Sequence, residues 1–210
     1  VIRVLIADDH AVVRRGVRQI LEETSDIEVA GEAASAAELW PKVCEGRFDA
    51  VVLDVNLPGR SGLELLGDIK REKPDLPVLI LTVHSEDQYA VRALKAGAAG
   101  FLTKESAPER LIDAVRKIAG GRRFITPEVA EKLASSVARG TEGPLHEALS
   151  DREFQILKMI ASGKTVSEIG RELSLSVKTI STHRTRILKK MSLKTNSELT
   201  HYALRNGLVE

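Results

Sequence analysis

The chain has 210 residues, 43% of them hydrophobic and 29% charged, with a formal net charge of +1; this is the balance of a globular protein long enough for two ordinary domains. No apolar run reaches the length of a membrane span, and acids interrupt VIRVLIADDH where a secretory signal would continue its apolar core, so a cytoplasmic protein is expected. A single cysteine, Cys44, excludes an internal disulfide and a thiolate metal cluster.

Five short apolar runs come first: Ile2 to Asp8, Ile27 to Glu32, Ala50 to Asp54, Val78 to Thr82 and Gly100 to Lys104. Amphipathic stretches separate them, and strands alternating with helices imply right-handed crossovers and a five-stranded, doubly wound parallel α/β sheet. Capping boxes are expected at Ser35 with Glu38, Ser61 with Glu64, and Ser106 with Glu109, and helix stops at Gly97 and Gly120. Pro41 falls where the second helix should be continuous, which predicts a kink or a late start. Cys44, in the same helix, reads as a small buried hydrophobe. Thr126-Pro127 opens a polar, alanine-rich helix that runs to about Arg139, and Gly140 to Pro144 reads as a flexible joint. Beyond it strand signals stop. Four helices, near Ser150 to Ser162, Thr165 to Leu173, Val177 to Met191 and Ser197 to Asn206, make an all-α second domain, with caps at Ser150 with Glu153, Thr165 with Glu168, and Ser176. The expected division is residues 1–121, a linker with a helix over 122–145, and 146–210.

Ligands of an open parallel sheet bind outside the carboxyl ends of its strands. Asp8 and Asp9 leave the first strand, Asp54 the third, Thr82 the fourth and Lys104 the fifth, so all five side chains converge on one edge. Three carboxylates gathered there repel one another unless a cation neutralises them or one keeps its proton. Oxygen ligands without a Cys or His cluster favour magnesium or a similar ion. Asp54 is then free to act as a nucleophile toward a phosphoryl group, with Lys104 and the Thr82 hydroxyl offsetting the oxygen charges.

On these residues, Asp8-Asp9, Asp54 in LDVNLPGRSG, Thr82 in LILTVH and Lys104 in GAAGFLTK, the span 2–120 resembles the flavodoxin-like receiver domain of two-component response regulators. The resemblance implies phosphoryl transfer from a sensor histidine kinase to Asp54. It also implies Mg²⁺ held by Asp9, Asp54 and the Asn56 main-chain carbonyl with Asp8 assisting, and Phe101 as a switch aromatic that turns inward as Thr82 engages the phosphoryl group. Val83, where a smaller residue often leaves the pocket open, predicts slow reaction with small phosphodonors. Asn56 and His84 flank the expected path of attacking water, His84 reading more simply as a solvated loop residue.

Net charge hides a basic stretch. Ser176 to Asn196 carries Lys178, Arg184, Arg186, Lys189, Lys190 and Lys194 with no acid, which suits a polyanion. In the third of the four helices Val177, Ile180, Ile187, Leu188 and Met191 form an apolar stripe, opposed by Lys178, Thr182, Thr185 and Lys189 and flanked by Ser181 and Arg186. An apolar back with a basic, hydroxyl-rich front fits the major groove. Residues 146–209, which from Leu149 read LSDREFQILKMIASGKTVSEIGRELSLSVKTISTHRTRILKKMSLKTNSELTHYALRNGLV, resemble the LuxR-type helix-turn-helix domain. That resemblance implies base contacts from Ser181, Thr182 and Thr185, and phosphate contacts from Lys178, Thr179, His183, Arg184, Arg186, Lys189 and Lys190. It implies a last helix, with Leu199, Tyr202, Ala203 and Leu208, that dimerises on DNA. Together the two halves are similar to a NarL/FixJ-type response regulator: a phosphorylated receiver controlling dimeric binding to promoter DNA, with RNA polymerase as a further candidate partner. Rival readings are a DNA-binding protein whose receiver is only an interaction surface, and a magnesium-dependent phosphohydrolase, which would need a substrate cap absent from the sequence.

Overall fold

The computed structural model describes residues 1–58, 60–83, 86–138 and 144–209. They form two compact units, Val1–Val137 and Ala138–Glu210.

In the first unit β1 (Ile2–Ala7), β2 (Ile27–Ala33), β3 (Ala50–Asp54), β4 (Val78–Thr82) and β5 (Gly100–Thr103) make one parallel sheet in the order β2-β1-β3-β4-β5. Helices α1 (Ala11–Glu22), α2 (Ala36–Glu45), α3 (Gly62–Glu72), α4 (Glu86–Lys95) and α5 (Ala107–Ala119) alternate with the strands. Both faces of the central strands are covered: every residue of β3 and β4 is buried, which is why these runs are continuously apolar rather than alternating. On one face Val4, Ile6, Val52, Leu79, Leu81 and Leu102 pack with Val17 and Leu21 of α1 and Leu111, Val115 and Ile118 of α5. Strand order reverses between β1 and β3, so the connections that follow these two strands diverge and open a crevice at their carboxyl ends. Asp8, Asp9 and Asp54 stand at that crevice.

Local differences from the sequence expectations have local causes. Helix α2 starts at Ala36 and runs through Pro41, so a late start is not needed; Pro41 simply cannot donate to the carbonyl one turn back. Its buried residues are Ala36, Leu39 and Val43, and Cys44, one position further around the helix, is exposed rather than buried. Of the three boxes expected in this unit, Ser35 and Ser61 cap with their side chains, but Glu38 bonds Ala34 N instead of the cap residue. Ser106 does not cap α5; its hydroxyl turns back to Thr103. Gly120 ends α5 as expected, followed by the left-handed Gly121 at φ 75°, and Gly97 is left-handed after α4 at φ 98°. After α5, Phe124 N donates to Ala99 O at 2.9 Å and pairs with Gly100 beside β5. Helix α6 (Pro127–Ala138), where a linker helix was expected, follows with Thr126 Oγ1 as its cap and clusters as far as Val137 with the first unit. Arg139 and the Gly140 to Gly143 part of the expected joint lie outside the described residues.

The second unit contains a short 3-10 turn (Leu145–Ala148) that the sequence reading missed, then α7 (Asp151–Ala161), α8 (Val166–Glu172), α9 (Val177–Lys190) and α10 (Asn196–Arg205). Complete capping boxes close the starts of α7 and α8, and Ser176 Oγ accepts from Thr179 N at the start of α9. Ser174 takes a left-handed φ of 54° in the tight turn from α8 to α9. The core is Phe154, Ile156, Leu157, Ile169, Ile180, Ile187, Met191, Leu199 and Ala203.

Candidate functional site

Asp54 ends β3 buried, at 2% exposure, because the strand beneath it is enclosed on both faces and only its tip reaches the crevice. Its Oδ1 accepts from Asn56 N at 3.2 Å and its Oδ2 from Lys104 Nζ at 2.7 Å. Lys104 is held in reach by the turn after β5, where its backbone N donates to Thr82 O at 2.7 Å. The same ammonium lies 2.6 Å from Asp8 Oδ2. Asp8 is buried as well; its Oδ1 accepts from His10 N at 2.8 Å, and its Oδ2 is paired with the Lys104 ammonium. Asp9 remains partly exposed.

Burial pushes the Asp54 carboxyl up to about 6, against the pull of Lys104 in the other direction. Lys104 itself loses solvation but is held above its ordinary value by the carboxylates of Asp54 and Asp8. Donor atoms of Asp8, Asp9, His10 and Asp54 lie within 4.8 Å of one another. Three carboxylates thus gather around one ammonium, which leaves the cluster with an excess of negative charge. An oxygen-rich pocket of this charge suits a hard divalent cation.

The structure brings Asp8, Asp9, Asp54 and Lys104 together as the strand-end argument requires. Thr82 ends β4 fully buried beside them, its strand paired with β3, and Val83 turns its side chain to solvent. Phe101 is already inside, at 1% exposure, rather than outside awaiting a vacated space. His84 lies outside the described residues. Two residues went unrecognised in the sequence. His10 touches the acid pair, signalled only by its adjacency in DDH. Gly62 begins α3 so close beneath Asp54 that a Cβ there would collide with the Asp54 carbonyl oxygen.

Helix α9 presents Lys178, Ser181, Thr182, Thr185, Arg186 and Lys189 to solvent and turns Ile180 and Ile187 inward. Thr182 and Thr185 donate their hydroxyl protons to Lys178 O and Ser181 O, at 3.0 Å each, which leaves oxygen lone pairs and methyl groups facing outward. Thr179 is held by Ser176, and His183 is half-buried. Val177 is 48% exposed and lies outside the core stripe assigned to it. Two basic residues expected at phosphates have partners within the unit. Arg184 donates to Asn196 Oδ1 at 2.6 Å, and Lys190 Nζ lies 2.6 Å from Glu153 Oε2. Both tie α9 to neighbouring helices. Leu199, Ala203 and Leu208, expected at a dimer face, are buried in the unit's own core because α10 packs that side on α7. Tyr202 is half-buried and its hydroxyl accepts from His146 N. The outward side of α10 carries Ser197, Glu198, His201, Arg205 and Leu204, the last 51% exposed.

Residues 4–116 match the response regulator receiver domain, and residues 147–203 match the LuxR family of bacterial regulatory proteins. The chain is 39% identical over 209 residues to response regulator UvrY of Escherichia coli, covering 99% of this chain and 95% of that protein. It is equally identical to response regulator GacA of Pseudomonas protegens, covering 100% and 98%. Among solved structures it resembles RcsB of Salmonella enterica serovar Typhimurium bound to promoter rprA in the presence of the phosphomimetic BeF3⁻. That likeness has a TM-score of 0.65 at 26% identity, over 96% of this chain and 97% of the other. With a receiver fold, an acidic crevice and a helix-turn-helix in this order, the chain belongs to the NarL/FixJ-type two-component response regulators, which regulate transcription through a LuxR-type DNA-binding domain.

Proposed function

We propose that Asp54 accepts a phosphoryl group from a sensor histidine kinase, and that this modification promotes dimeric binding of the second unit to promoter DNA. One observation carries the reading: a buried strand-end carboxylate 2.7 Å from a lysine ammonium, flanked by two further acids. One Asp54 oxygen attacks phosphorus, a P–O bond forms, and the P–N bond to the kinase histidine breaks, the leaving imidazole nitrogen keeping the electron pair. Lys104 and the Thr82 hydroxyl then stabilise the phosphoryl oxygens. Asp9, Asp54 and the Asn56 main-chain carbonyl, with Asp8 assisting, would hold Mg²⁺, which supplies neutralisation of phosphoryl charge. Catalysis is confined to the protein's own modification, by kinase or small phosphodonor, and its slow hydrolytic loss. On α9, Lys178, Arg186 and Lys189 meet phosphates, while Ser181, Thr182 and Thr185 meet base edges; the lone pairs and methyls of the two threonines suit amino groups and thymine methyls. Among the described residues no helix is long and apolar enough to cross a membrane, and we place the protein in the cytoplasm.

The test is phosphodonor treatment of the wild type and Asp54→Asn, read by intact mass and by DNA titration. The wild type should gain one phosphoryl group and bind DNA more tightly, and Asp54→Asn should do neither. Equal labelling of the two would overturn Asp54 as acceptor.

A further inference from the structure

Strand β5 lies at an edge of the sheet, and the chain that leaves α5 returns to cover part of that edge. Phe124 N donates to Ala99 O at 2.9 Å, and Phe124 pairs in parallel with Gly100. Gly100 permits so close an approach because a Cβ there would stand 3.0 Å from both Cβ and the carbonyl oxygen of Phe124. The Phe124 ring enters the core with Leu79, Leu102, Leu111 and Val115, and Lys117 Nζ lies 5.3 Å from its centroid. Only Ile125 and Thr126 separate this residue from α6, whose described side chains are exposed or half-buried apart from Val129. Helix α6 is thus held at its start. At the opposite end of β5, Lys104 N donates to Thr82 O at 2.7 Å, and the Lys104 ammonium lies 2.7 Å from Asp54 Oδ2. The four residues of β5 span only about 13 Å, so the phosphoryl site and the Phe124 contact are two ends of one short strand.

We propose that Phe124 clips the start of α6 to β5, so that phosphorylation of Asp54 shifts β5 and re-aims α6 with it. The proposal rests on the reading of Asp54 as phosphoryl acceptor and of DNA binding as the output. New phosphoryl oxygens draw the Lys104 ammonium and the Thr82 hydroxyl toward Asp54. Thr82 pairs with Thr103, the residue before Lys104, so both pulls act on the carboxyl end of β5. Gly100, at the amino end, has no side chain to yield, and Phe124 stands against its backbone. A shift of the strand therefore displaces the ring and, two residues on, the first turn of α6. Packed side chains on a stiff element are the physical carrier that coupling between distant sites requires. A Phe124 that merely filled the core would alter stability and leave the response to phosphorylation unchanged.

The full-length wild type, Phe124→Ala and Gly100→Ala are treated with a phosphodonor, with Asp54 labelling followed by intact mass and DNA affinity by titration. Phe124→Ala should be labelled at a rate within about twofold of the wild type, which also shows that its receiver folds, while its gain in DNA affinity falls below about twofold, against the roughly 5- to 150-fold range of coupled sites. Gly100→Ala, which crowds Phe124 from the strand side, should lose the gain in the same way. Hydrogen exchange at the Phe124 amide, read by NMR in the wild type, tests the clip without any substitution: phosphorylation should change its rate by about threefold or more. Unchanged exchange there would overturn the proposal even if both variants failed to fold. If the wild type gains affinity and labelled Phe124→Ala gains as much, only the clip fails. If the wild type is labelled but gains no affinity, the functional reading falls and the clip falls with it.

Discussion

Asp54 illustrates a conflict between stability and function in one side chain. Burial holds its folded carboxyl near 6, above the ordinary value of 3.8. The folded state therefore gains from the protonated acid, a gain complete below the ordinary value and lost as pH rises through about 6. At neutral pH, ionised Asp54 costs the first unit on the order of 1–3 kcal/mol, as expected for a shift of this size. Asp54→Asn should accordingly raise stability at pH 7.5 by about that amount and have little effect below pH 4. Urea unfolding at both pH values, without divalent ions, checks this. A less stable Asn variant at pH 7.5 would mean that the Lys104 ion pair outweighs burial. The strain was legible in the sequence because an acid closing an apolar run before Pro-Gly has one plausible position, a strand tip. His10 was not, since a histidine beside two acids carries no spacing signature and its contacts depend on how the chain turns after β1.

At the scale of elements, patterning gave the sheet and the order of helices, while the side on which each helix packs needed the tertiary structure. Leu199, Ala203 and Leu208 look like surplus apolar surface along the chain but serve the small unit's own core, and Val177 sits just past the core-facing arc of α9. Glu153 was legible only as a cap. It is 3% exposed, accepts from Ser150 N and also pairs with Lys190, thereby bracing the end of α9 on the start of α7. Burial raises its carboxyl, yet Lys190 and the Ser150 backbone together hold it below the usual glutamate range. Its contribution is present above that ordinary value and is lost as pH falls beneath it. Glu153→Gln should destabilise the second unit by about 1–2 kcal/mol at neutral pH, discounted for the half-exposed lysine, with the difference shrinking in acid. Lys190→Gln should destabilise it similarly but leave the salt dependence of DNA binding unchanged. Lys189→Gln should instead flatten log K against log salt by roughly 0.9, the contribution of one phosphate. A flattened slope for Lys190→Gln would return that residue to the DNA interface.

For the whole molecule, the sign of the charge constrains how the two units communicate. A phosphoryl group adds negative charge to a protein whose other task is to meet a polyanion, so electrostatics alone would weaken DNA binding. If phosphorylation strengthens binding, conformation or dimerisation must carry the signal. The second unit has its own core and all the DNA contacts proposed on α9. A fragment spanning 144–210 should therefore fold, bind the same operator with the same salt slope per subunit, and ignore a phosphodonor. The full chain should gain roughly 5- to 150-fold in affinity on phosphorylation, the usual range of coupling between sites. Titrations of both proteins against one operator at several salt concentrations would measure these quantities together. If phosphorylation weakened the full chain's binding, and did so less at high salt, direct repulsion would be the coupling and a conformational relay would be excluded.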